Sequence, residues 1–505
     1  MDATAAALMQ SASQLSLARL EDIARRGEAP VLAAADRQRI EAARGVVEHA
    51  VAEGRRAYGI TTGFGSLARI AIDPAQTAQL QLNLIRSHAV GFGDPLPTEV
   101  VRAMLSLLVA SLARGHSGVR VEVVELLAAM LERDVVPVIP AKGSMGSSGD
   151  LAPLAHLALV LVGEGEATVA GERRPGAQAL SEAGLEPVTL TAKEGLALIN
   201  GTHLMAAVGT LAVRDAQRLL AAGTVACALS VESFKGSTVP FDARIHELRG
   251  QPGQVRVAAR LRALLDGSAI VASHSDCGRV QDPYTLRCAP QVLGAVSDAI
   301  DYVSDAVARE LSAVTDNPLV FPEDGAVMSA GNFHGQPLSL PLDHLALALC
   351  ELASFSERRV FALLAPSSVD LPPYLSPEPG LGSGLMIAQY VAASLVNECQ
   401  VLSHPAGAGS IPTSAGQEDF NSMGAWAALK ARTVTENAAR VVATELVCAC
   451  QAIEFHRPLR TTAALEAVLA DVRSYVPRVE RDRSLAAELD ALADAIRTGE
   501  LAMPA

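Results

Sequence analysis

Three consecutive residues, Ser147-Ser148-Gly149, have the types and the order needed to build an electrophile from the backbone. A glycine in the third place lets the chain fold tightly enough for its amide nitrogen to approach the carbonyl two residues back. Attack there with loss of water would close a five-membered imidazolone, and loss of the Ser148 hydroxyl would leave an exocyclic methylidene group. The chemistry requires serine in the middle and glycine in the third place, whereas Ser147 contributes only a carbonyl.

The same stretch also has a purely structural interpretation. Gly, Ser and Asp are common turn formers, and Ser148 or Asp150 could cap a helix that begins near Leu151, with Pro153 in its first turn. The local pattern by itself favours this simple turn. Ring closure would itself require a turn, so the local pattern cannot distinguish the two interpretations. The rest of the chain is needed for that.

Four further loops interrupt helical sequence with residues that can do chemistry. They are YGITTGFGS (58–66), LINGTH (198–203), QDPYTLRC (281–288) and GNFHGQP (331–337). Loops positioned by a rigid scaffold are where binding and catalytic residues tend to lie. Together with the serine stretch, these loops indicate one shared site.

The elements that must position these loops are predicted to be mainly long helices. Apolar residues recur at three- and four-residue intervals over 98–115, 298–318 and 435–458. The first helix is expected to end at Gly115, the second at Asn317-Pro318, and the third to begin with Thr435 as its cap. Two short hairpins are predicted, at 166–174 and at 318–331.

Composition supports a mostly α protein. Of the 505 residues, 50% are hydrophobic but only 3% are aromatic, so the core is built from Leu, Ala and Val, which suits closely packed helices. We predict an elongated central bundle of long helices with a loop-rich N-terminal part. Residues 1–200 are assigned to the loop-rich part that carries the serine stretch, and 201–505 to the central bundle and a C-terminal helical layer.

Charge and motif content narrow the classes of partner. The formal charge is −14, from 41 Lys and Arg against 55 Asp and Glu, and the basic residues form no stripe, so nucleic acid is not an expected partner. There is no metal-binding HExxH spacing and no glycine-rich phosphate loop after a strand, so neither a metal nor a nucleotide is expected.

Cysteine usage and hydropathy indicate the compartment. The seven cysteines are odd in number and form no CxxC pair, which is typical of free thiols in a reducing compartment. The start of the chain does not read as a secretory signal, and the apolar runs are too short or too interrupted to span a bilayer, which takes ~20 residues. A cytoplasmic protein without membrane association is expected.

These motifs resemble those of the aromatic amino acid ammonia-lyases. KGSMGSSGDLAPLAH is similar to the cofactor-forming loop of that family, which usually reads Ala-Ser-Gly at the tripeptide. Six further motifs occur in the family's order along essentially the whole chain: YGITTGFG, LINGT, VQDPYTLRCAPQVLGA, TDNPL, GNFHGQP and SIPTSAGQEDFNSMG. The resemblance implies a methylidene-imidazolone cofactor formed from Ser147-Ser148-Gly149, a fumarase/aspartase-like architecture, and a homotetramer whose sites draw loops from more than one subunit.

The resemblance also implies roles for the loop residues. Tyr58 would remove the β-proton of the substrate, and Arg287 would bind the substrate carboxylate through its planar guanidinium. The remaining residues would surround the cofactor: Asn200 at the cofactor ring and the substrate carboxylate, Gln281 and the catalytic Tyr284 at the amino-group region, and Phe333 in the electrophile's pocket. From residue type alone, a loop tyrosine more often packs and an arginine more often forms a surface ion pair.

Substrate choice depends on His88 and Glu418. Ser87-His88 resembles the Ser-His of the histidine-specific members, whereas tyrosine- and phenylalanine-specific members tend to show His-Leu and Phe-Leu. Glu418 resembles the acidic position of the same histidine-specific members. A histidine and a carboxylate could each bond one imidazole nitrogen, whereas a phenyl ring would leave Glu418 desolvated and unpaired, at a cost of several kcal/mol. The implied reaction is elimination of ammonia from L-histidine to give trans-urocanate.

Several alternatives stay open or are disfavoured. Thr61, His203, Gln336 and Phe420 depart from the histidine-specific pattern, which keeps a tyrosine or phenylalanine ammonia-lyase as an alternative. A 2,3-aminomutase of the same family would use the same loop. A lyase of the fumarase and aspartase kind would carry Met-Pro and a lysine after its Gly-Ser-Ser loop, and this chain has neither. A non-catalytic helical scaffold would not need the combination Tyr58, Ser148, Asn200, Tyr284 and Arg287.

Overall fold

The computed structural model describes residues 12–65, 72–274, 280–365 and 370–504. Two compact units divide the chain, and each is assembled from separated segments. The first comprises Met1–Leu211, Asp305–Leu342 and Pro405–Leu429, and the second comprises Ala212–Ser304, Asp343–His404 and Lys430–Ala505. Cys277 and Ser66, which the sequence analysis included, lie outside the described residues.

Short helices and small sheets make up most of the first unit. Its helices are α1 (Leu17–Arg26), α2 (Ala34–Ala52), α3 (Thr77–His88), α4 (Thr98–Leu112), α5 (Val121–Glu132), α6 (Leu151–Leu161), α7 (Gly176–Glu182) and α8 (Glu194–Ile199). Its strands are β1 (Phe92–Pro95), β2 (Val136–Pro137), β3 (Pro140–Lys142), β4 (Glu166–Val169), β5 (Glu172–Pro175), β6 (Leu319–Phe321) and β7 (Ala326–Met328). These strands pair antiparallel: β1 with β3, β6 with β7, and a sheet in the order β2-β4-β5. Both predicted hairpins are therefore present.

Further helices follow in the rest of the chain. They are α9 (His203–Ser233), α10 (Ala243–Arg249), α11 (Pro252–Leu265), α12 (Ala269–Ala272), α13 (Tyr284–Arg287), α14 (Ala289–Glu310), α15 (Gln336–Leu364), α16 (Met386–Leu402), α17 (Gly424–Glu454), α18 (Ala463–Tyr475) and α19 (Ala486–Thr498). The prediction of a mostly α protein is confirmed. The two units differ from the expected division at 200/201, because α9, α14, α15 and α17 each begin in one unit and end in the other.

Two predicted helix ends are wrong for identifiable physical reasons. Helix α14 ends at Glu310 and not at Asn317-Pro318. Residues 311–317 form a turn and a loop in which Asp316 and Asn317 accept hydrogen bonds from the Asn200 amide, and Pro318 disfavours the helical conformation at Asn317 itself. Helix α17 begins at Gly424, so Thr435 is an interior residue. The Thr435 hydroxyl donates to the Ala431 carbonyl at 2.7 Å, a bond that threonine can form inside a helix.

Three short helices of the first unit position the loops of interest. Helices α3, α6 and α8 pack against one another. Helix α3 ends at His88, α6 begins directly after Asp150, and α8 runs into Asn200. Two predicted site loops and the candidate residue His88 therefore lie at the ends of one packed group of helices.

One long helix passes a length-and-hydropathy test for a membrane span. Among the described residues this is α15, and 67% of its most apolar stretch is buried within the fold. Core helices of folded proteins commonly pass the same test.

A buried ion pair lies in the core of the second unit. Arg359 Nε and Nη2 donate to the two carboxylate oxygens of Glu445 at 2.5 and 2.7 Å, and neither side chain is exposed. The hydroxyls of Ser230 and Ser356 donate to the same carboxylate at 2.7 and 2.6 Å. The Glu445 carboxylate thus links residues of α9, α15 and α17.

We expect Glu445→Ala to destabilise the protein by about 3–5 kcal/mol, because it leaves the Arg359 charge buried without its partner. Scanning calorimetry would detect this as a lower Tm. The matched control is Asp490→Ala, which removes an exposed ion pair with Arg440, at 2.8 Å, and should cost about 1 kcal/mol or less. Equal Tm values for the two variants would contradict a structural role for the buried pair.

Candidate active site

The Ser147-Ser148-Gly149 tripeptide forms a tight turn. Gly146 and Gly149 pair across it as an isolated antiparallel bridge, so the two serines are its central residues. Ser148 has a φ of +50°, in the left-handed region that residues other than glycine seldom occupy. Such strain is concentrated at functional sites, and a turn of this kind is the compact backbone that ring closure requires.

The turn lies directly against the loop that precedes α9. A Cβ atom on Gly149 would lie 2.1 Å from the carbonyl oxygen of Gly201, so no other residue fits there without movement of the backbone. The Asp150 N–H donates to this carbonyl at 2.7 Å, and the Gly201 N–H donates to the Ser148 carbonyl at 3.3 Å. Gly149 therefore has a steric requirement in addition to the chemical one.

Asp150 fixes the turn from its other side. It occupies the predicted N-cap position of α6, but its side chain makes no bond to that helix. Its carboxylate instead accepts hydrogen bonds from the backbone N–H groups of Leu204 and Met205, at 2.9 and 3.1 Å, and from the Ser144 hydroxyl at 2.8 Å. Burial raises the pKa of Asp150 to about 6, and these three donors oppose the rise. The acid thus anchors the turn to the first residues of α9.

Five predicted site residues line a single cavity of about 490 Å³ in the first unit: Tyr58, His88, Ser148, Asn200 and Glu418. Apolar side chains from α3, α6 and α8 contribute further lining: Leu80, Leu84, Leu151, Leu196 and Ile199. A mainly apolar cavity with a few convergent polar groups is the usual form of a small-molecule site. The fold therefore brings together residues that are far apart in the sequence: Tyr58 and Glu418 are separated by 360 positions.

Tyr58 is held at a fixed position beside the cavity. Its hydroxyl oxygen accepts a hydrogen bond from the Gly65 N–H at 3.0 Å. Its ring meets Phe64 edge-on, with ring centres 6.4 Å apart. A phenol oxygen that is positioned in this way is suited to proton transfer with a bound molecule.

His88 is the last residue of α3, and a backbone carbonyl sets its tautomer. Its Nδ1 lies 2.8 Å from the Leu84 carbonyl oxygen and 3.1 Å from the Ser87 hydroxyl. Because a carbonyl oxygen can only accept, Nδ1 carries the hydrogen. In the neutral ring, Nε2 is then a hydrogen-bond acceptor that is available to a ligand.

Two hydroxyl groups orient Glu418. Its Oε2 accepts a hydrogen bond from the Ser147 hydroxyl and another from the Thr413 hydroxyl, the latter at 2.9 Å. Thr413 and Glu418 also pair as an isolated antiparallel bridge. The residues between them include Ser414 and Ala415, which have φ values of +52° and +54°. This closed loop brings Glu418 next to a tripeptide that lies 271 residues earlier.

Buried partners fix the Asn200 amide. Its Nδ2 donates to the Asn317 carbonyl at 2.8 Å and to Asp316 Oδ1 at 3.3 Å, two groups that can only accept. Asp316 also accepts a bond from Lys193 Nζ at 2.6 Å, within a buried ion pair. Burial lowers the pKa of Lys193, and Asp316 opposes that shift. The Asn200 atom that is left for a ligand is Oδ1, a hydrogen-bond acceptor.

Gln281, Tyr284, Arg287 and Phe333 are not among the described residues that line the cavity. Phe333 is half-buried in the first unit, and the other three belong to the second unit. Tyr284 is 68% exposed, and the Arg287 guanidinium lies 4.6 Å from the centre of its ring. Tyr284 and Arg287 are therefore neighbours on α13.

Four polar residues around the cavity had no role in the sequence analysis: Lys193, Asp316, Asn317 and Thr413. Asp316 and Asn317 entered it only as part of the TDNPL motif, with Asn317 also as a predicted helix end. Thr413 entered it only as part of the SIPTSAGQEDFNSMG motif. A single lysine is usually exposed, so nothing in the sequence marked Lys193 as buried. In the described part of the chain, no group of three or more His, Cys, Asp or Glu residues is arranged to hold a metal ion.

Comparison with known proteins gives one consistent family. The sequence model of the aromatic amino acid lyase family matches residues 15–474. The histidine ammonia-lyase of Anaeromyxobacter dehalogenans strain 2CP-C is 50% identical over 503 residues, which cover 98% of this chain and 99% of that protein.

Solved structures are similar over the same length. The crystal structure of histidine ammonia-lyase from Trypanosoma cruzi has a TM-score of 0.90 at 42% identity, with coverage of 97% of this chain and 93% of that one. The tyrosine aminomutase of Streptomyces globisporus has a TM-score of 0.92 at 34% identity, with coverage of 97% of both chains. The chain belongs to the aromatic amino acid lyase family.

Proposed function

We propose that this protein eliminates ammonia from L-histidine to give trans-urocanate. The observation that carries the proposal is the presence of His88 and Glu418 on the wall of the same cavity as Ser148. The name of the relative at 50% identity supports the same reaction.

The ring pocket suits an imidazole because of the hydrogen-bonding atoms that it offers. His88 Nε2 and the Glu418 carboxylate are both acceptors when His88 is neutral. An imidazolium ring has an N–H at each nitrogen and can satisfy both. A phenol has a single O–H and a phenyl ring has no donor, so either would leave a desolvated polar group unpaired.

The turn at 147–149 supports the formation of a methylidene-imidazolone. Gly149 packs where no Cβ fits, and Ser148 has the left-handed backbone of a tight turn. Once formed, this group would supply an electrophile beside the bound amino acid. No metal or nucleotide is part of the proposal.

The chain's own residues would then bind the substrate and move its proton. Tyr58, held by the Gly65 N–H, would take the β-proton of the substrate. Asn200 would lie at the cofactor ring and the substrate carboxylate, as the resemblance implies, and Arg287 would bind that carboxylate. Tyr284 and Gln281 would act at the amino-group region and Phe333 would line the electrophile's pocket.

A homotetramer would account for the residues that this cavity lacks. Large apolar side chains on α15, α16 and α17 are about half exposed, including Leu340, Phe361, Ile387, Tyr390 and Trp426. Exposed apolar side chains on long helices suit contacts with other copies of the chain. In such an assembly Gln281, Tyr284 and Arg287 would reach the cavity of another subunit.

A cytoplasmic location fits the cysteine chemistry. The six cysteines among the described residues are free thiols, five of them buried. Burial raises the pKa of Cys450 to about 12, which keeps that thiol protonated and unreactive at neutral pH.

The cofactor can be tested by intact-protein mass spectrometry. We expect the purified protein to weigh less than its encoded chain by two water molecules, and Ser148→Ala to restore the missing mass and abolish activity. Ser474→Ala, which alters only an exposed hydroxyl bonded to the Asp471 carbonyl, is the matched control and should retain the deficit. An unchanged mass in an active enzyme would contradict the proposal.

The substrate can be tested with L-histidine, L-tyrosine and L-phenylalanine in parallel, by following the ultraviolet absorbance of the conjugated acid product. We expect histidine to be strongly preferred, because a site built for polar partners rejects analogues that lack them by ~10⁴-fold. His88→Leu and Glu418→Gln should depress histidine turnover far more than any activity on the other two substrates.

The matched control for the ring pocket is His49→Leu, since His49 is an exposed helical histidine that pairs with Glu53 at 3.1 Å. This variant should behave as the wild type. A wild-type preference for tyrosine or phenylalanine would refute the substrate assignment, and a β-amino acid product would identify an aminomutase instead.

Assembly can be tested by light scattering and by complementation. We expect the mass of four chains of 52.4 kDa each. Co-expression of the inactive Ser148→Ala and Tyr284→Phe chains should restore part of the activity, because some sites would receive both intact residues. An active monomer would contradict the shared site.

A further inference from the structure

The hydroxyl of Ser147 connects the cofactor-forming turn to the acid of the ring pocket. It donates to Glu418 Oε2, and Ser147 is almost fully buried, with 8% of its surface exposed. Ser147 stands where the family tripeptide usually has alanine, which has no hydroxyl. The bond is therefore a feature of this chain's own sequence.

This hydroxyl would survive formation of the cofactor. Ring closure joins the Gly149 nitrogen to the Ser147 carbonyl carbon. The first water takes the Ser147 carbonyl oxygen with the amide hydrogens of Gly149 and Ser148. The second water takes the Ser148 hydroxyl with the Ser148 Cα hydrogen. Ser147 Oγ takes part in neither step, so it can still donate to Glu418 in the mature protein.

Glu418 needs such a donor because its backbone alone does not set the direction of its carboxylate. The Thr413–Glu418 bridge fixes the ends of the loop, with the Thr413 N–H donating to the Glu418 carbonyl at 2.9 Å. The side chain beyond Cα is held only through Oε2, by the hydroxyls of Ser147 and Thr413. Within the described part of the chain, Glu418 Oε1 has no hydrogen-bond partner.

We propose that Ser147 is a positioning residue that fixes the Glu418 carboxylate for the substrate ring. Its hydroxyl and that of Thr413 bind Oε2 together, which leaves Oε1 directed to the imidazole N–H. The inference rests on the proposed histidine ammonia-lyase function. Because Ser147 belongs to the turn that carries the electrophile, the orientation of the Glu418 carboxylate depends on that same turn.

The test is a kinetic comparison of Ser147→Ala, Ser147→Thr and the wild type with L-histidine. We expect Ser147→Ala to lower kcat/KM by about 10- to 100-fold, the usual effect of losing a hydrogen bond to a charged group. The loss should be mainly in KM, because the electrophile and Tyr58 are unchanged and the ring contact acts before and during the reaction. Ser147→Thr retains a hydroxyl and should recover most of the loss.

A double-mutant cycle with Glu418→Ala establishes whether Ser147 acts through Glu418. If it does, Ser147→Ala should have little further effect in the Glu418→Ala background, which has no acceptor for the Ser147 hydroxyl, since interacting residues are not additive. Ser474→Ala is the matched control for loss of an exposed serine hydroxyl that does not line the cavity, and it should leave both constants unchanged.

Mass spectrometry of the same variants separates this inference from the proposed function. Ser147→Ala should keep the two-water deficit, because alanine also supplies the carbonyl. A normal KM for Ser147→Ala, or equal effects of that change with and without Glu418, would overturn the positioning role while the wild-type activity stands. A wild type that does not deaminate histidine would instead overturn the proposed function.

Discussion

The contact between the Gly149 and Gly201 backbones is the constraint on which the rest of the site depends. The space between them admits no Cβ, and two backbone hydrogen bonds join the residues on either side. Asn200 directly precedes Gly201, and Ser148 directly precedes Gly149. One steric contact between backbones therefore sets the distance between Ser148 and Asn200, two residues of the cavity wall.

Buried charges then hold both sides of this contact in place. Asp150 bonds the start of α9, and the Lys193–Asp316 pair bonds the Asn200 amide. Buried ion pairs contribute little net stability, because desolvation offsets the attraction between the charges. Their effect here is on orientation: each amide hydrogen and each carboxylate oxygen has a partner that allows a single arrangement. The site is thus pre-organised by groups that never need to touch the substrate.

Selectivity depends on far fewer groups than the fold does. Lyases and aminomutases of this family share nearly the same backbone, so the fold does not determine the reaction. In this chain the proposed ring pocket has two acceptors, His88 and Glu418, and each is oriented by a neighbour. The Leu84 carbonyl sets the tautomer of His88, whereas the hydroxyls of the distant Ser147 and of Thr413, on the same loop as Glu418, set the Glu418 carboxylate.

The sequence by itself determined the helical class, the two hairpins and the family, and five of its candidate residues, Tyr58, His88, Ser148, Asn200 and Glu418, line one cavity. These properties are encoded in short-range spacing and in contiguous motifs. Only the tertiary structure decided the discontinuous units, the start of α17, the partners of Asp150 and the contact of Ser147 with Glu418. These features depend on the way in which the long helices bring distant parts of the chain together. A bond between residues 271 positions apart cannot be recognised from the local sequence pattern. Lys193 shows the same limit: its burial follows from the position of Asp316, which the sequence around the lysine does not contain.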